Sequence, residues 1–517
     1  MKYDNIDIEI KIGQLIVAGF KGTEGNCARM ITRGHIGNVI LFSRNIKSAE
    51  QTARLTQGLQ ELCLKENGLP AFITADQECG SVDRFQGAIT PFPGNMAVSA
   101  AVQDPEEVSH MGEMLGKELR SLGIHIDFAP CMDVICNPKN TGIGVRSYGA
   151  DPKRVAELGS AMIKGLEKGG VLGCAKHFPG SGDTETDAHI GLPILKHSIN
   201  RLDELELHPF KYAIENGCPM VMAGHLITEC IDQEHPASVS KAVITGLLRE
   251  RLGFTGLVIT DCLEMGAITE RYGTAKAAVM AIKAGADMVC ISHTYERQLE
   301  AAVAIKAAVL SGELPIKRLN EAFERVMRAK EKAGLWERNR ADISATVSKK
   351  EHKDFARKLY NGSIATIRGR WFLPDSENTI VAGPEFRIGN PAEDEPKATP
   401  DFAQAIGALL GTHHITFDPD ITKDGKDTLI QACSTYMTVI LGMTEAGVHK
   451  SQRELYRRLT DAGKRVLAVS LRTPYDLDGE TAPACHVATF EYTHEALTAL
   501  SRLFKENREP AGRNPRS

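Results

Sequence analysis

Residues 151–178 read DPKRVAELGSAMIKGLEKGGVLGCAKHF, and this stretch contains one unit of a pattern that the chain repeats. Its first twenty residues open on an Asp-Pro pair, carry apolar residues at helical spacing and close on two glycines, which predicts a capped amphipathic helix. The next eight residues form a nearly continuous apolar run, typical of a strand that is buried on both faces. The stretch therefore predicts a helix that leads into a buried parallel strand.

The same alternation of strand and helix runs through the first two thirds of the chain. Its apolar runs are QLIVAGF (14–20), NVILF (38–42), AFITAD (71–76), IHIDFAP (124–130), VLGCAKHF (171–178), MVMAGHLI (220–227), GLVITD (256–261) and ADMVCIS (286–292). Each of the eight runs is followed by a segment long enough for a helix. This pattern predicts an α/β fold, and specifically a closed (β/α)8 TIM-type barrel over residues 1–336. An open, doubly wound sheet alternates in the same way and is the alternative.

A second, smaller domain is expected after a polar linker at residues 337–360. The apolar runs beyond the linker are TIVAGPE (379–385), HHITFDP (413–419), MTVILGM (437–443), RVLAVSLR (465–472) and HVATFEY (486–492). They alternate with amphipathic helical stretches, which predicts an α/β sandwich domain over residues 361–510. The final residues, NREPAGRNPRS, have the composition of a disordered tail.

Composition limits the classes of partner. The 517 residues carry a formal net charge of −5, with 42% hydrophobic and 25% charged residues, which is the profile of a globular protein without a basic face for nucleic acid. The N-terminal residues lack the apolar core of a signal peptide, and no apolar run reaches the length of a membrane span. These features predict a cytoplasmic protein without a membrane or nucleic-acid partner, and they do not indicate an oligomeric state.

Polar residues stand where several of the predicted strands end. Asp76 follows the third strand, Lys176 and His177 end the fifth, His225 lies near the end of the sixth, and Asp261 ends the seventh. In a parallel barrel the carboxyl ends of all strands meet at one rim, where active sites are built. A single strand-end aspartate often caps the next helix, but polar residues at several strand ends indicate a functional site.

The loop after the fifth strand contains a second chemical feature. It reads FPGSGDTETDAHIGLP (178–193), and its Asp187 and His189 are two residues apart, so both side chains point the same way in an extended segment. A carboxylate beside an imidazole orients the ring and favours its protonated form. The pair is therefore a candidate general acid and base, although DxH alone is a common and unspecific pattern.

At these residues the chain resembles a known family. KHFPGSGDTETDAHIGLP (176–193) is similar to the signature of the β-N-acetylglucosaminidase branch of glycoside hydrolase family three, and ITDCLEMGAI (259–268) to that family's nucleophile segment. DQECGSVDRF (76–85) and NPKNTGIGVRSYG (137–149) resemble two further family motifs in the same order. SQRELYRRL and LAVSLRTPYDL, near the C-terminus, are similar to the second domain of two-domain members.

The resemblance implies roles for individual residues. Asp261 occupies the position of the nucleophile, His189 that of the acid/base and Asp187 that of its partner. Sugar hydroxyl groups are expected to contact five further residues, namely Asp76, Arg84, Arg146, Lys176 and His177. A structural salt bridge across the barrel rim is the alternative interpretation of the two arginines. His225 lies at a strand end that is often polar in the family.

The expected function is that of a β-N-acetylhexosaminidase. The resemblance implies a retaining hydrolase that releases terminal, non-reducing β-linked N-acetylglucosamine, with peptidoglycan fragments as natural substrates. Because a neutral imidazole does not repel phosphate, a glycoside phosphorylase is an alternative. Two further alternatives are a β-glucosidase-type hydrolase of the same family and a non-catalytic sugar sensor.

Departures from the family pattern lie close to the expected site. Ser181 stands where the family usually has His, Cys79 and Ser81 where it has Gly and Arg, and Cys262 where a second acidic residue or Ala is common. These departures leave the proposed catalytic groups in place and bear on substrate detail.

Metal and cofactor sites are not expected. Four cysteines, Cys79, Cys131, Cys174 and Cys262, lie near strand ends, which would suit a zinc site, but their irregular spacing favours small buried thiols. No Gly-rich phosphate loop follows a strand convincingly, so no cofactor is predicted.

Overall fold

The computed structural model describes residues 5–23, 28–184, 191–337 and 343–516. Its first part is a closed barrel of eight parallel strands, which confirms the predicted barrel. The strands are β1 (Ile16–Ala18), β2 (Asn38–Leu41), β3 (Phe72–Ala75), β4 (Ile126–Asp127), β5 (Leu172–Phe178), β6 (Met220–Ala223), β7 (Leu257–Cys262) and β8 (Met288–Ile291). Strand β1 pairs with both β2 and β8, and this closure excludes the open sheet.

Helices surround the barrel strands. They are Ile8–Gly13, Ala28–Gly34, Ala49–Asn67, Asn95–Ala101, Pro105–Ser121, Pro152–Lys168, Ile199–Glu204, His208–Glu215, the π-helix Ala242–Arg251, Gly266–Thr269, Thr274–Ala284, Tyr295–Leu310 and Ile316–Lys332. Short 3₁₀ turns span Ser43–Asn45, Gly144–Arg146 and Ala237–Val239, and two short strands, Ile194–Leu195 and Ile227–Thr228, pair beside the barrel. None of the described helices combines the length and the apolar character that crossing a membrane requires.

Apolar side chains fill the barrel and seal its wall. Inward-facing residues such as Val17, Phe72, Leu172 and Met288 form one buried cluster inside the strands. A larger cluster lies between the strands and the surrounding helices. Because side chains alternate along each strand, this burial on both faces explains why the strands appear as continuous apolar runs.

The second domain contains a separate six-stranded sheet. Its strands are β9 (Ala365–Gly369), β10 (Thr379–Pro384), β11 (His414–Phe417), β12 (Thr438–Met443), β13 (Arg465–Ser470) and β14 (Cys485–Ala488), in the order β9-β14-β13-β12-β10-β11. All neighbours are parallel except the β9–β14 pair. The helices are Lys350–Ser363, Phe402–Leu410, Lys423–Ala432, Lys450–Asp461 and His494–Glu506, with a 3₁₀ turn at Ser376–Asn378. The edge strand β9 has no counterpart in the sequence prediction.

Apolar packing and the C-terminal residues join the two domains. Met96 and Val145 of the barrel share a buried cluster with Tyr475 and Phe490 of the second domain. The prediction of a disordered tail is wrong, because the Arg513 amide donates to the Ala100 carbonyl at 2.9 Å. Backbone hydrogen bonds of this kind order a terminal segment whose composition alone suggests flexibility.

Candidate active site

A cleft of about 510 Å³ lies at the carboxyl end of the barrel. Its walls include Asp76, Arg84, Arg146, Lys176, His177 and Asp261 of the barrel, together with residues 391–394 of the second domain. The structure therefore brings six of the eight predicted site residues to one cavity. Asp187 and His189, the remaining two, lie outside the described residues.

Asp261 lies at the end of β7 and faces the cleft. Its Oδ1 accepts a hydrogen bond of 2.7 Å from the Cys262 amide, which fixes the carboxylate at the strand end. The neighbouring Cys262 also lines the cleft, and burial raises the pKa of its thiol to about 11. Cys262 is therefore a neutral neighbour where an acidic residue would add a second negative charge.

Across the barrel from β7, charged side chains form a compact network. Lys176 Nζ lies 2.9 Å from Asp76 Oδ1 and 2.7 Å from Glu78 Oε1. Arg146 donates to the same Glu78 carboxylate from its Nε at 2.8 Å and from its Nη2 at 2.7 Å. Two carboxylates thus balance two cations in a buried site, where an unpaired charge would be costly.

Electrostatic attraction keeps this network ionised. Burial on its own raises the pKa of Glu78, but attraction from Arg146 and Lys176 outweighs it and lowers that pKa below its ordinary value. Burial likewise disfavours the charged form of Lys176, yet Asp76 and Glu78 raise the pKa of Lys176. Ionised groups with fixed positions suit the recognition of hydroxyl groups, which both donate and accept hydrogen bonds.

Arg84 is buried between carboxylates of both domains. Its Nη1 donates to Asp394 Oδ2 at 2.5 Å and to the Ala392 carbonyl at 2.9 Å, and its Nη2 lies 3.9 Å from Asp76 Oδ2. The alternative interpretation of Arg84 as a structural salt bridge therefore holds for its Nη1, which is hydrogen-bonded to the second domain. For Arg146 the salt bridge with Glu78 is also structural, although both residues line the cleft.

His177 is oriented by a buried carboxylate that sequence reasoning did not identify. Asp133 Oδ2 accepts from His177 Nδ1 at 2.8 Å, and Asp133 Oδ1 accepts from the amide and hydroxyl of Ser181 at 2.6 and 3.1 Å. Burial opposes ionisation, but the attraction of His177 lowers the pKa of Asp133. Ser181, which departs from the family pattern, thus fixes the start of the loop after β5 to the carboxylate that orients His177.

The described parts of that loop are anchored on both sides of its central residues. A Cβ atom at Gly182 would lie 1.8 Å from the Val134 carbonyl, so only glycine permits this close approach. Asp183 Oδ2 lies 2.5 Å from His197 Nε2. These anchors hold the described base of the segment that carries Asp187 and His189.

His225 contacts strand β7 and does not line the cleft. It is 1% exposed, and its Nε2 lies 2.8 Å from the Cys262 carbonyl while its Nδ1 lies 2.8 Å from Ser238 Oγ. The ring therefore fixes the backbone next to Asp261.

Aromatic and cationic side chains also line the cleft. The rings of Phe42 and His293 lie 5.3 Å apart, and the Arg44 guanidinium lies 4.2 Å above the Phe42 ring. Glu264 Oε2 accepts from the His293 amide at 2.6 Å. An apolar ring beside polar groups is typical of sites that bind amphipathic ligands such as sugars.

Two groups of metal-ligand type lie near the cleft in the described part of the chain. The ligand atoms of Cys131, Asp133 and His177 lie within 4.8 Å of one another, but Asp133 already bonds to His177 and Ser181. The other group consists of Cys136, Asp183 and Glu206. The Arg201 guanidinium lies 3.7 Å from the Cys136 sulfur and 3.4 Å from the Glu206 carboxylate, so a cation is already among them. Neither group matches the zinc alternative, which used four cysteines.

Several residues of the site carry no local sequence signal. Glu78 is an exception, because it follows Asp76 by two residues at a predicted strand end, where polar residues indicate a site. Asp133 lies in an apolar stretch, and Asp394 is 310 residues from its partner Arg84. Only the folded chain brings such residues together.

The chain is similar to a known protein family and to several known proteins. Residues 7–329 match the family described as glycosyl hydrolase family 3 N terminal domain. A β-hexosaminidase A of Pseudoalteromonas piscicida is 29% identical over 489 residues, which cover 87% of this chain and 82% of that protein. A β-hexosaminidase of Chromobacterium violaceum is 32% identical over 62% of this chain and 88% of its own length.

A solved structure is similar over both domains. It is a glycoside hydrolase family 3 β-N-acetylglucosaminidase from Paenibacillus sp. str. FPU-7, with 33% sequence identity and a TM-score of 0.91. The alignment covers 99% of each chain. The similarity therefore includes the domain that supplies residues 391–394 to the cleft.

Proposed function

Since the chain belongs to glycosyl hydrolase family 3, we propose that it is a retaining β-N-acetylglucosaminidase that removes terminal, non-reducing β-linked N-acetylglucosamine. The relatives named β-hexosaminidase and the Paenibacillus structure support this activity for a protein of the same two-domain architecture. The substrates we propose are glycosides of peptidoglycan fragments.

The observation that carries the proposal is the arrangement of charges across the cleft. In the ring of eight strands β7 and β3 are four places apart, so Asp261 lies opposite Asp76, and Lys176 on β5 lies between them along the ring. A sugar ring whose anomeric carbon faces Asp261 would direct its remaining hydroxyl groups to the network of Asp76, Lys176 and Arg146. This separation of a carboxylate nucleophile from a hydroxyl-binding side suits cleavage at one end of a glycan.

The chemistry proceeds in two steps. In the first, an Asp261 oxygen attacks the anomeric carbon as the bond to the leaving oxygen breaks, and His189, held by Asp187, gives its proton to that oxygen. In the second, neutral His189 takes a proton from water, whose oxygen displaces Asp261 and releases the sugar with its β configuration. Both residues of the proposed acid/base pair lie outside the described residues.

A mechanism-based label tests the nucleophile. With 5-fluoro-N-acetylglucosaminyl fluoride the first step outpaces the second, so the protein mass should increase by one sugar, and digestion should place it on Asp261. Asp261→Asn is the matched control, which should fold normally and take no label. A label on another residue would move the nucleophile elsewhere.

Product analysis separates hydrolysis from transfer to phosphate. Cleavage of p-nitrophenyl β-N-acetylglucosaminide in phosphate buffer should give free N-acetylglucosamine. Formation of N-acetylglucosamine 1-phosphate would show a phosphorylase instead. Binding of N-acetylglucosamine without cleavage of any aryl glycoside would show the non-catalytic sensor.

A further inference from the structure

A segment of the second domain forms part of the cleft wall. Residues 391–394, which follow β10, line the same cavity as Asp76, Arg84 and Asp261. The segment is therefore in position to contact whatever occupies the cleft.

Glu393 fixes the conformation of this segment. Its carboxylate forms a buried bidentate ion pair with Arg472 of the second domain, and its Oε2 accepts a hydrogen bond from the Gly389 amide at 2.9 Å. Asn390 donates to the barrel carbonyl of Thr141 at 3.3 Å. Glu393 is thus committed to structure, and the segment is held rigidly against the barrel.

Asp394 instead turns its carboxylate to the barrel. Its Oδ2 accepts from Arg84 and its Oδ1 accepts from Ser43 Oγ, both at 2.5 Å. Since the Arg84 guanidinium also lies 3.9 Å from Asp76, carboxylates of both domains flank one cation. A carboxylate has more acceptor positions than these two contacts occupy.

The barrel topology places this group at the far side of the cleft from the nucleophile. Ser43 follows β2, and Asp76 and Arg84 follow β3, whereas Asp261 ends β7 on the opposite side of the ring. In a pyranose ring C4 is the atom opposite the anomeric carbon, and the neighbouring C5 carries the C6 branch. A sugar placed for attack by Asp261 therefore presents its C4 and C6 hydroxyl groups to this side.

We propose that Asp394 is a specificity-determining residue that accepts a hydrogen bond from the C4 or C6 hydroxyl of the terminal sugar, beside the Arg84 guanidinium. This inference rests on the proposed function. It makes the second domain part of the substrate site, because residues 391–394 close the cleft where a further sugar attached at C4 would lie. The second domain thereby helps restrict the enzyme to terminal residues.

The test compares Asp394→Asn with wild type on three aryl β-N-acetylglucosaminides: the parent compound, its 4-deoxy analogue and its 6-deoxy analogue. On the parent we expect kcat/KM to fall about 10- to 100-fold, the range for a hydrogen bond to a charged group. On at least one deoxy analogue the variant and wild type should differ by less than about threefold, because the hydroxyl that Asp394 binds is missing. Glu395→Gln, which changes the exposed carboxylate directly after the segment, should match wild type on all three substrates.

Each result has one meaning. An equal loss on all three substrates would show that Asp394 only supports the fold, and no loss on any would show that it does not bind the sugar; both overturn the inference while the proposed function stands. If wild type cleaves none of the three, the proposed function fails and the inference with it. Asp394→Glu, which keeps the ion pair with Arg84, replaces the Asn variant if the latter unfolds.

Discussion

Asp133 holds two parts of the site at once, although it does not line the cleft in the described structure. One of its oxygens orients the His177 imidazole, and the other fixes the amide of Ser181 at the start of the loop after β5. A carboxylate behind a histidine sets which ring nitrogen carries the proton. Asp133 is therefore a positioning residue for both His177, which lines the cleft, and the start of the loop.

Replacing Asp133 with Asn tests this role. The amide nitrogen of Asn must face either His177 or the Ser181 amide, and both are donors at these contacts, so one hydrogen bond to a charged group is lost. We expect kcat/KM to fall about 10- to 100-fold, mostly through KM, because the His177 ring is no longer held in place. Ser181→Ala removes the hydroxyl contact and keeps the amide contact, so its fold-loss in kcat/KM should be less than about a fifth of the loss in Asp133→Asn. An unchanged KM in Asp133→Asn would contradict the role.

At the scale of elements, β5 and its loop carry the most chemistry. The strand ends in Lys176 and His177, and the described start of its loop is fixed by Asp133 and by the Asp183–His197 pair. The described base of the loop is therefore fixed to the barrel.

His189→Ala tests the proposed proton donor. Because a general acid contributes about 10²- to 10⁴-fold, kcat/KM should fall by that range on a disaccharide with a poor leaving group. On a dinitrophenyl glycoside, whose leaving group needs no proton, kcat/KM should stay within about threefold of wild type. The two substrates measured on one preparation control for folding. Equal losses on both would assign the proton transfer to another residue.

The elements also show what the sequence could reveal. Strand β7 and the ends of β3 and β5 carry local signals, an apolar run followed by a polar residue, so the barrel and Asp76, Lys176, His177 and Asp261 were predictable. Asp394 was not, because its partners Ser43 and Arg84 lie on another domain. Strand β9 was missed because it is half exposed and contains Arg368, which breaks the apolar pattern.

At the scale of the whole molecule, the two domains meet around a buried acid. Glu491 follows β14, is 1% exposed and accepts a hydrogen bond from the barrel amide of Gly94. Tyr360 and Thr493 donate to its other oxygen at 3.4 and 3.2 Å. Neutral hydrogen-bond donors surround this carboxyl group, in contrast to the ion pairs of Glu78 and Glu393.

The Glu491 carboxyl makes the junction between the domains sensitive to pH. Burial raises its pKa to about 8 from an ordinary value of 4.5. Between these values the unfolded chain has released a proton that the folded chain retains, so the folded state binds more protons and its stability falls as pH rises. The contribution is complete below pH 4.5 and is lost as pH rises through about 8. We expect the thermal unfolding midpoint of wild type to decline across this window.

Glu491→Gln removes the titrating group and keeps its size. The variant should lose this part of the decline and unfold at a higher temperature than wild type near pH 9, as measured by calorimetry at fixed ionic strength. Glu509→Gln changes an exposed carboxyl by the same single charge and should leave the wild-type pH profile intact. Parallel plots of unfolding midpoint against pH for Glu491→Gln and wild type would contradict this prediction. They would show that the Glu491 carboxyl is ionised in the folded protein throughout, because only a carboxyl that stays protonated above its ordinary pKa links folding to proton uptake.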